Sequence, residues 1–413
     1  MPRNEFCNTE LKTLVKNLPH DLAIDPTRDE RSRQEFVASL RHHSIDKMSY
    51  GMRDRYENVV KPAFEKEHGR APQDGEEVHD AMLGDSYFGF YSTVRYNAQQ
   101  MAHSSVIPVI ERGMDELNAR AKDLRDNKMP EGGSVTLNDD VEVPRSVANI
   151  DVHLTPGSYH SEYSEGEDCI AGAVYDNFLN VFAFGQMGKY FSDIGESFSN
   201  YVKTVHPEFK PEKILDCGCS VGHNTLPWAK NFPDAEVTGI DVAPGLMRYA
   251  SARAASLEIP TNFVQMDATK LDIEDESVDV VFSSMFLHEL PLKDIRKYMK
   301  EAFRVLKPGG LLLTMELPAN EKMGPYESFY LDWDCFYNKE PYYKPFRDQD
   351  YTKLVTDAGF PKDAFFELEL PRFTMTPYES FAAQAKQGPI FDNNSGRFSD
   401  EVRWYGFGVW KNA

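Results

Sequence analysis

The run Ile214-Leu215-Asp216-Cys217-Gly218-Cys219-Ser220-Val221-Gly222 constrains the fold of this 413-residue chain more than any other stretch. An apolar strand leads into it and an amphipathic segment, Thr225 to Asn231, follows, so its glycines sit in a strand-to-helix turn. Gly218 can take positive φ there and lets a backbone approach a ligand closely, while Gly222 lets the helix start lie against the sheet.

Further strand ends follow at telling distances. Asp241 lies nineteen residues past Gly222 and closes Val237 to Asp241, where a carboxylate can accept from both hydroxyls of a ribose. The next strand ends at Met266-Asp267-Ala268, an acid placed to accept from an adenine amine. The run Val278 to Ser283 then leads into Met285-Phe286-Leu287-His288-Glu289. Each falls at the carboxyl end of a strand, the edge on which open α/β sheets bind ligands.

From residue 212 short apolar runs alternate with amphipathic stretches. Expected strands are Lys213 to Cys217, Glu236 to Asp241, Asn262 to Met266, Val278 to Ser283 and Gly310 to Glu316. Thr225 to Asn231, Gly245 to Leu257 and Leu292 to Val305 read as helices. The alternation predicts a parallel sheet with helices on both faces. Phe365 to Leu370 and Trp404 to Trp410 add a terminal strand pair preceded by a helix, Tyr351 to Ala358, for seven strands in all.

The amino-terminal half reads as helical. Apolar positions recur at helical spacing between Thr27 and Lys61, with Pro62 as the expected end or kink, and again on the stripe Val106, Ile110, Met114, Leu117 and Leu124. Residues 127–145 lose periodicity and read as a loop, and Ile170 to about Val205 as an aromatic-rich helical stretch. The expected division is a helical domain over 1–150, a helical connection over 151–210 and a Rossmann-like α/β domain over 211–413 with an aromatic insertion at 317–346.

Taken together these motifs resemble the class I S-adenosylmethionine-dependent methyltransferases, particularly the branch that modifies quinones and other small molecules. Asp216 to Gly222 resembles their first motif, Ile240-Asp241 their ribose acid, Gln265 to Ala268 their adenine contact, and Leu306-Lys307-Pro308-Gly309-Gly310-Leu311 their turn into the fifth strand. The resemblance covers residues 210–316 well and 346–413 loosely. It implies that Asp216 and Gly218 lie beside the methionine part of S-adenosylmethionine, directly or through water, Asp241 on the ribose, and Asp267 with Ala268 on the adenine. Cys219, Gly222, Val242 and Ser283 complete the expected cofactor-binding set. Ser220 stands where the family usually has glycine. A dinucleotide site needs a third glycine to seat a pyrophosphate on a helix N-terminus; Gly218 and Gly222 are four apart with Ser220 between them.

The implied activity is methyl transfer to an O or S nucleophile of a small molecule. A C- or N-methyltransferase and a non-catalytic S-adenosylmethionine-binding scaffold are the alternatives. His288, just past the fourth strand, is the candidate base, with a packing or capping role as the competing reading. The insertion crowds Tyr326, Phe329, Tyr330, Trp333, Phe336, Tyr337, Tyr342, Tyr343 and Phe346 beside Asp332 and Asp334. It either lines an acceptor pocket or forms a satellite core. Tyr159, Tyr163, Tyr190 and Phe191 are further candidates to reach the site.

A net charge of -21 disfavours nucleic acid as a partner, because phosphate binding runs on clustered Lys and Arg. Five cysteines, Cys7, Cys169, Cys217, Cys219 and Cys335, show no disulfide framework, and Cys217 and Cys219 within the turn are expected as free thiols. Nine of the eleven histidines precede Lys213 without an H-x-x-x-H pair, so no metal site is nominated. The segment Met1 to Ala23 lacks the apolar core of a secretion signal, and no run reaches bilayer-spanning length. A cytoplasmic protein is expected, with a small-molecule acceptor as partner and a homodimer through the amino-terminal helices.

Overall fold

The computed structural model describes residues 20–183, 187–391 and 403–412. Cys7 and most of the Met1 to Ala23 segment lie outside the described residues.

Eight strands form one sheet: β1 (Ser134–Thr136), β2 (Lys213–Cys217), β3 (Glu236–Asp241), β4 (Asn262–Gln265), β5 (Val278–Ser284), β6 (Leu306–Met315), β7 (Phe365–Pro371) and β8 (Arg403–Trp410). Their order is β1-β4-β3-β2-β5-β6-β8-β7, parallel as far as β6, with β8 antiparallel to both β6 and β7. The order reverses at β2, since β3 lies on one side and β5 on the other. That switch point opens a crevice beyond the carboxyl ends of β2 and β5, where the glycine turn sits.

The predicted seven strands are all present, and β1 is an eighth that composition hid. Its three residues lie inside the stretch expected as a loop, and they extend the sheet edge by pairing with β4. A strand this short carries too little alternation to be read from periodicity.

Pro62 does not stop the first long helical run. Arg28–His43 continues through π-turns at Ser44–Met48 and Tyr56–Val60 into Lys61–His68, which ends at Gly69 in left-handed conformation, φ +70°. The wide turn preceding Pro62 places the proline at the start of the next α segment, where its missing N–H costs little. The Val106 to Leu124 stripe is divided at Gly113 between Ser86–Arg112 and Met114–Asn127. The expected Ile170 to Val205 stretch is two helices, Ile170–Phe182 and Asp193–Val205.

No break in packing marks residue 150. Val106, Ile110, Leu117, Ala121 and Leu124 from the amino-terminal helices share one buried cluster with Val174 and Phe178, with Met247 and Ala250, and with Phe263 of β4. The helical half thus covers the sheet rather than standing apart from it. The aromatic insertion becomes a helix, Pro325–Tyr337, whose Phe329 and Trp333 pack with Met52, Val78, Met82, Phe88 and Tyr91 in a second cluster. No helix among the described residues is long and apolar enough to cross a membrane.

Candidate active site

A cavity of about 1570 Å³ opens at the carboxyl ends of the central strands. Small-molecule pockets usually measure ~300–1,000 Å³, so this space exceeds one ligand. Its floor is the glycine turn. Gly218 has φ +71°, and a Cβ there would stand 2.2 Å from the Phe286 ring, so glycine is required for conformation and for space. Ser220 has φ +50°, which explains why glycine suits this position: the serine holds a backbone that favours the residue without a side chain.

Asp241 ties the turn to β3. One carboxylate oxygen accepts from the Ser220 N–H at 3.2 Å and the other from the Ala243 N–H at 3.1 Å, leaving a lone pair on each for a ligand at the cavity wall. Desolvation pushes its pKa up, and the backbone donors oppose that. Asp267 is braced likewise by the Thr269 N–H at 2.8 Å. Cys219, Val242 and Ala268 complete this end of the wall.

Three residues expected at the cofactor stand behind the wall. Asp216 is buried and accepts from the Thr225 hydroxyl at 2.5 Å, and burial pushes its pKa up to about 7. Gly222, φ +76°, would place a Cβ 3.0 Å from the Phe263 ring, so it serves the close approach of helix and sheet. The Ser283 hydroxyl pairs with that of Thr314 at 2.8 Å. Each is engaged by packing or hydrogen bonds internal to the protein, and for Gly222 this is the helix-to-sheet approach expected of it. Cys169, Cys217, Cys219 and Cys335 are buried free thiols.

His288 lies at the cavity's far wall on the turn after β5. Its Nδ1 is 2.6 Å from Glu316 at the end of β6, and the other Glu316 oxygen accepts from the N–H groups of Phe286 and Leu287 at 3.0 and 2.6 Å. The buried carboxylate raises the imidazole to about 9 despite desolvation. The ring therefore holds its proton near neutral pH, where a base for the acceptor would have to be free of it. Glu316 was the missed residue here, and its signal was available: an acid ending a parallel strand on the same edge as Asp241 and Asp267.

The insertion does both things foreseen for it. Tyr326, Tyr330, Tyr342 and Tyr343 reach the cavity, whereas Phe329 and Trp333 belong to the satellite core, and Phe336 is exposed. Tyr159 and Phe191 also line the space; Tyr163 and Tyr190 do not. His223, Glu340 and His153 are on the wall without having been foreseen.

The donor set fits S-adenosylmethionine. Two carboxylates at successive strand ends suit a diol and an amine, and Asp216 beneath the turn disfavours a phosphate there. Residues 214–310 match the family described as a methyltransferase domain. Residues 214–310 thus carry a methyltransferase domain. Phosphoethanolamine N-methyltransferase 3 of Arabidopsis thaliana is 31% identical over 155 residues, 37% of this chain and 30% of that one. The malonyl-[acyl-carrier protein] O-methyltransferase of Hahella chejuensis is 33% identical over 125 residues, 30% of this chain and 42% of that one. The demethylmenaquinone methyltransferase of Thermus thermophilus is 32% identical over 115 residues, 28% and 51%. This chain thus spans between 30% and 51% of the length of these relatives.

Proposed function

We propose that the protein transfers a methyl group from S-adenosylmethionine to an oxygen or sulfur nucleophile of a small molecule. The observation that carries this reading is one continuous cavity, with Asp241 and Asp267 at one end, the glycine turn and Phe286 in the middle, and His288, Glu289, Tyr326 and Tyr343 at the other.

When bound, S-adenosylmethionine supplies a sulfonium-activated methyl group for in-line displacement. Asp241 would hold the ribose hydroxyls, Asp267 and Ala268 the adenine, and Gly218 the methionine backbone. Phe286, packed over Gly218, would shield the reacting centre from water. The protein's own contribution is alignment and exclusion of solvent. His288, kept in one orientation by Glu316, would face the acceptor.

The carboxylates of Glu289 and Glu340 beside tyrosine rings also favour a second reading, an amine acceptor that binds as the ammonium and gives up its proton before its lone pair attacks. A screen of small hydroxyl, thiol and amine compounds with labelled methyl donor separates the two. Label in a hydroxyl or thiol product supports the first, label in an amine product the second, and no transfer to any class by cofactor-bound protein contradicts both.

A further inference from the structure

Three segments far apart in sequence bring two imidazoles and two carboxylates together on the acceptor side of the cavity. His153 lies on the short turn Val152–Leu154, His288 and Glu289 on the turn after β5, and Glu340 just past the Pro325–Tyr337 helix. His153 Nε2 is 2.9 Å from Glu340 Oε1 and 3.5 Å from Glu289 Oε1. His288 Nε2 is 3.8 Å from the same Glu289 oxygen. One donor atom each from His153, Glu289 and Glu340 lies within 4.8 Å of the others. Ligands ~2.0–2.2 Å from a tetrahedral ion stand about 3.3–3.6 Å apart, and the three measured separations bracket that edge.

A second observation concerns the far side of each ring. His288 Nδ1 is 2.6 Å from Glu316, and His153 Nδ1 is 3.0 Å from the Tyr159 hydroxyl. Nε2 of each imidazole thereby lies toward Glu289, and that of His153 toward Glu340 as well. Metal-binding histidines characteristically have the other ring nitrogen tied in this manner, which fixes tautomer and ring plane. Glu316 is itself anchored by two backbone N–H groups, so the support extends one layer further out.

We propose that His153, Glu289 and Glu340, with His288 as fourth donor, form a binding site for a divalent first-row transition ion of the zinc or manganese class, the ion displacing to solvent the Nε2 protons that the imidazoles otherwise hold. Imidazole nitrogen with carboxylate oxygen and no thiolate selects such ions over the soft ones, and two histidines weigh against magnesium or calcium. No local spacing announces the site, because its donors come from three separate segments: His153, the His288-Glu289 pair and Glu340. The cavity gives the ion access to solvent and to a bound acceptor, so an acceptor oxygen can add as a fifth ligand. That last role rests on the methyl-transfer reading, whereas binding of the ion does not.

The test uses the full chain, stripped with chelator and dialysed against zinc, manganese or magnesium, with metal content then measured. The expected result is about one zinc or manganese per chain. X-ray absorption of the zinc-loaded protein should show nitrogen and oxygen ligands with imidazole scattering. Glu340→Gln and Glu289→Gln should each weaken binding at least about tenfold, and Glu316→Gln about 10- to 100-fold through loss of ring orientation. Failure of the wild-type chain to retain zinc or manganese overturns the proposal, as does a sulfur shell, which would put the ion on the cysteines. Calorimetry with S-adenosylmethionine on the stripped protein keeps the two readings apart. Cofactor binding without metal binding sinks this site alone, and metal binding without cofactor binding sinks the proposed transfer alone.

Discussion

At the scale of single residues the glycine turn depends on what cannot be there. Gly218→Ala adds a Cβ at φ +71° that meets the Phe286 ring at 2.2 Å. It is expected to cost ~1–3 kcal/mol in backbone strain and to weaken S-adenosylmethionine binding by more than about tenfold, read by thermal unfolding and calorimetry. Asp216 carries a prediction of opposite kind. Its pKa rises from the ordinary carboxylate value to about 7 because burial penalises the charge. A carboxyl that holds its proton more tightly when folded favours the folded state at low pH, and the benefit fades as pH rises from about 4 to about 7, by at most ~1.4 kcal/mol per pH unit. Asp216→Asn can still accept from Thr225 and removes the charge. The cofactor-free variant should therefore melt higher than wild type at pH 8 and at a similar temperature at pH 4. Equal melting temperatures at pH 8 would contradict a buried, reluctant carboxylate.

At the scale of elements, the satellite core ties the insertion to the amino-terminal helices. Trp333 is buried there, donates from its indole nitrogen to the Ser92 hydroxyl at 2.9 Å, and stands 4.7 Å from the Tyr91 ring. Trp333→Ala should lower stability by about 3–5 kcal/mol in denaturant unfolding. A loss under about 1 kcal/mol would mean that the helix does not depend on this contact. The elements show how far local pattern reaches. Strands β2 to β5 were legible because each is a short apolar run bounded by turn residues, and Asp241 and Asp267 because the chemistry sits at the strand ends themselves. The three-residue β1 was not, nor was the passage of the helix through Pro62, which depends on π-turns without a sequence signature. Glu316 was placed on its strand without a role, since its partner His288 meets it only across the sheet. His153 and Glu340 join His288 and Glu289 only by tertiary packing, and no spacing along the chain records that meeting.

At the scale of the whole molecule, the helical half and the sheet share one buried cluster. Val106, Ile110, Leu117 and Leu124 cover apolar side chains of the Pro244–Ser256 helix and β4, so removing them uncovers the sheet's own core. A chain beginning at residue 134 is expected to aggregate or to bind hydrophobic dye as an expanded state; a monomer with the wild-type cooperative transition would show that the sheet half folds alone. The same arrangement explains how residues 152–160, far from the glycine turn in sequence, come to wall the acceptor end of the cavity. The site is therefore a property of both halves, although the cofactor side is written almost wholly into residues 214–268. Calorimetric titration of the folded chain with S-adenosylmethionine tests the central claim most directly. One site per chain is the expected result, with affinity lowered at least about tenfold in Asp241→Ala through loss of charge-assisted hydrogen bonds to the ribose; absence of binding by folded wild-type protein, or affinity unchanged in Asp241→Ala, would contradict it.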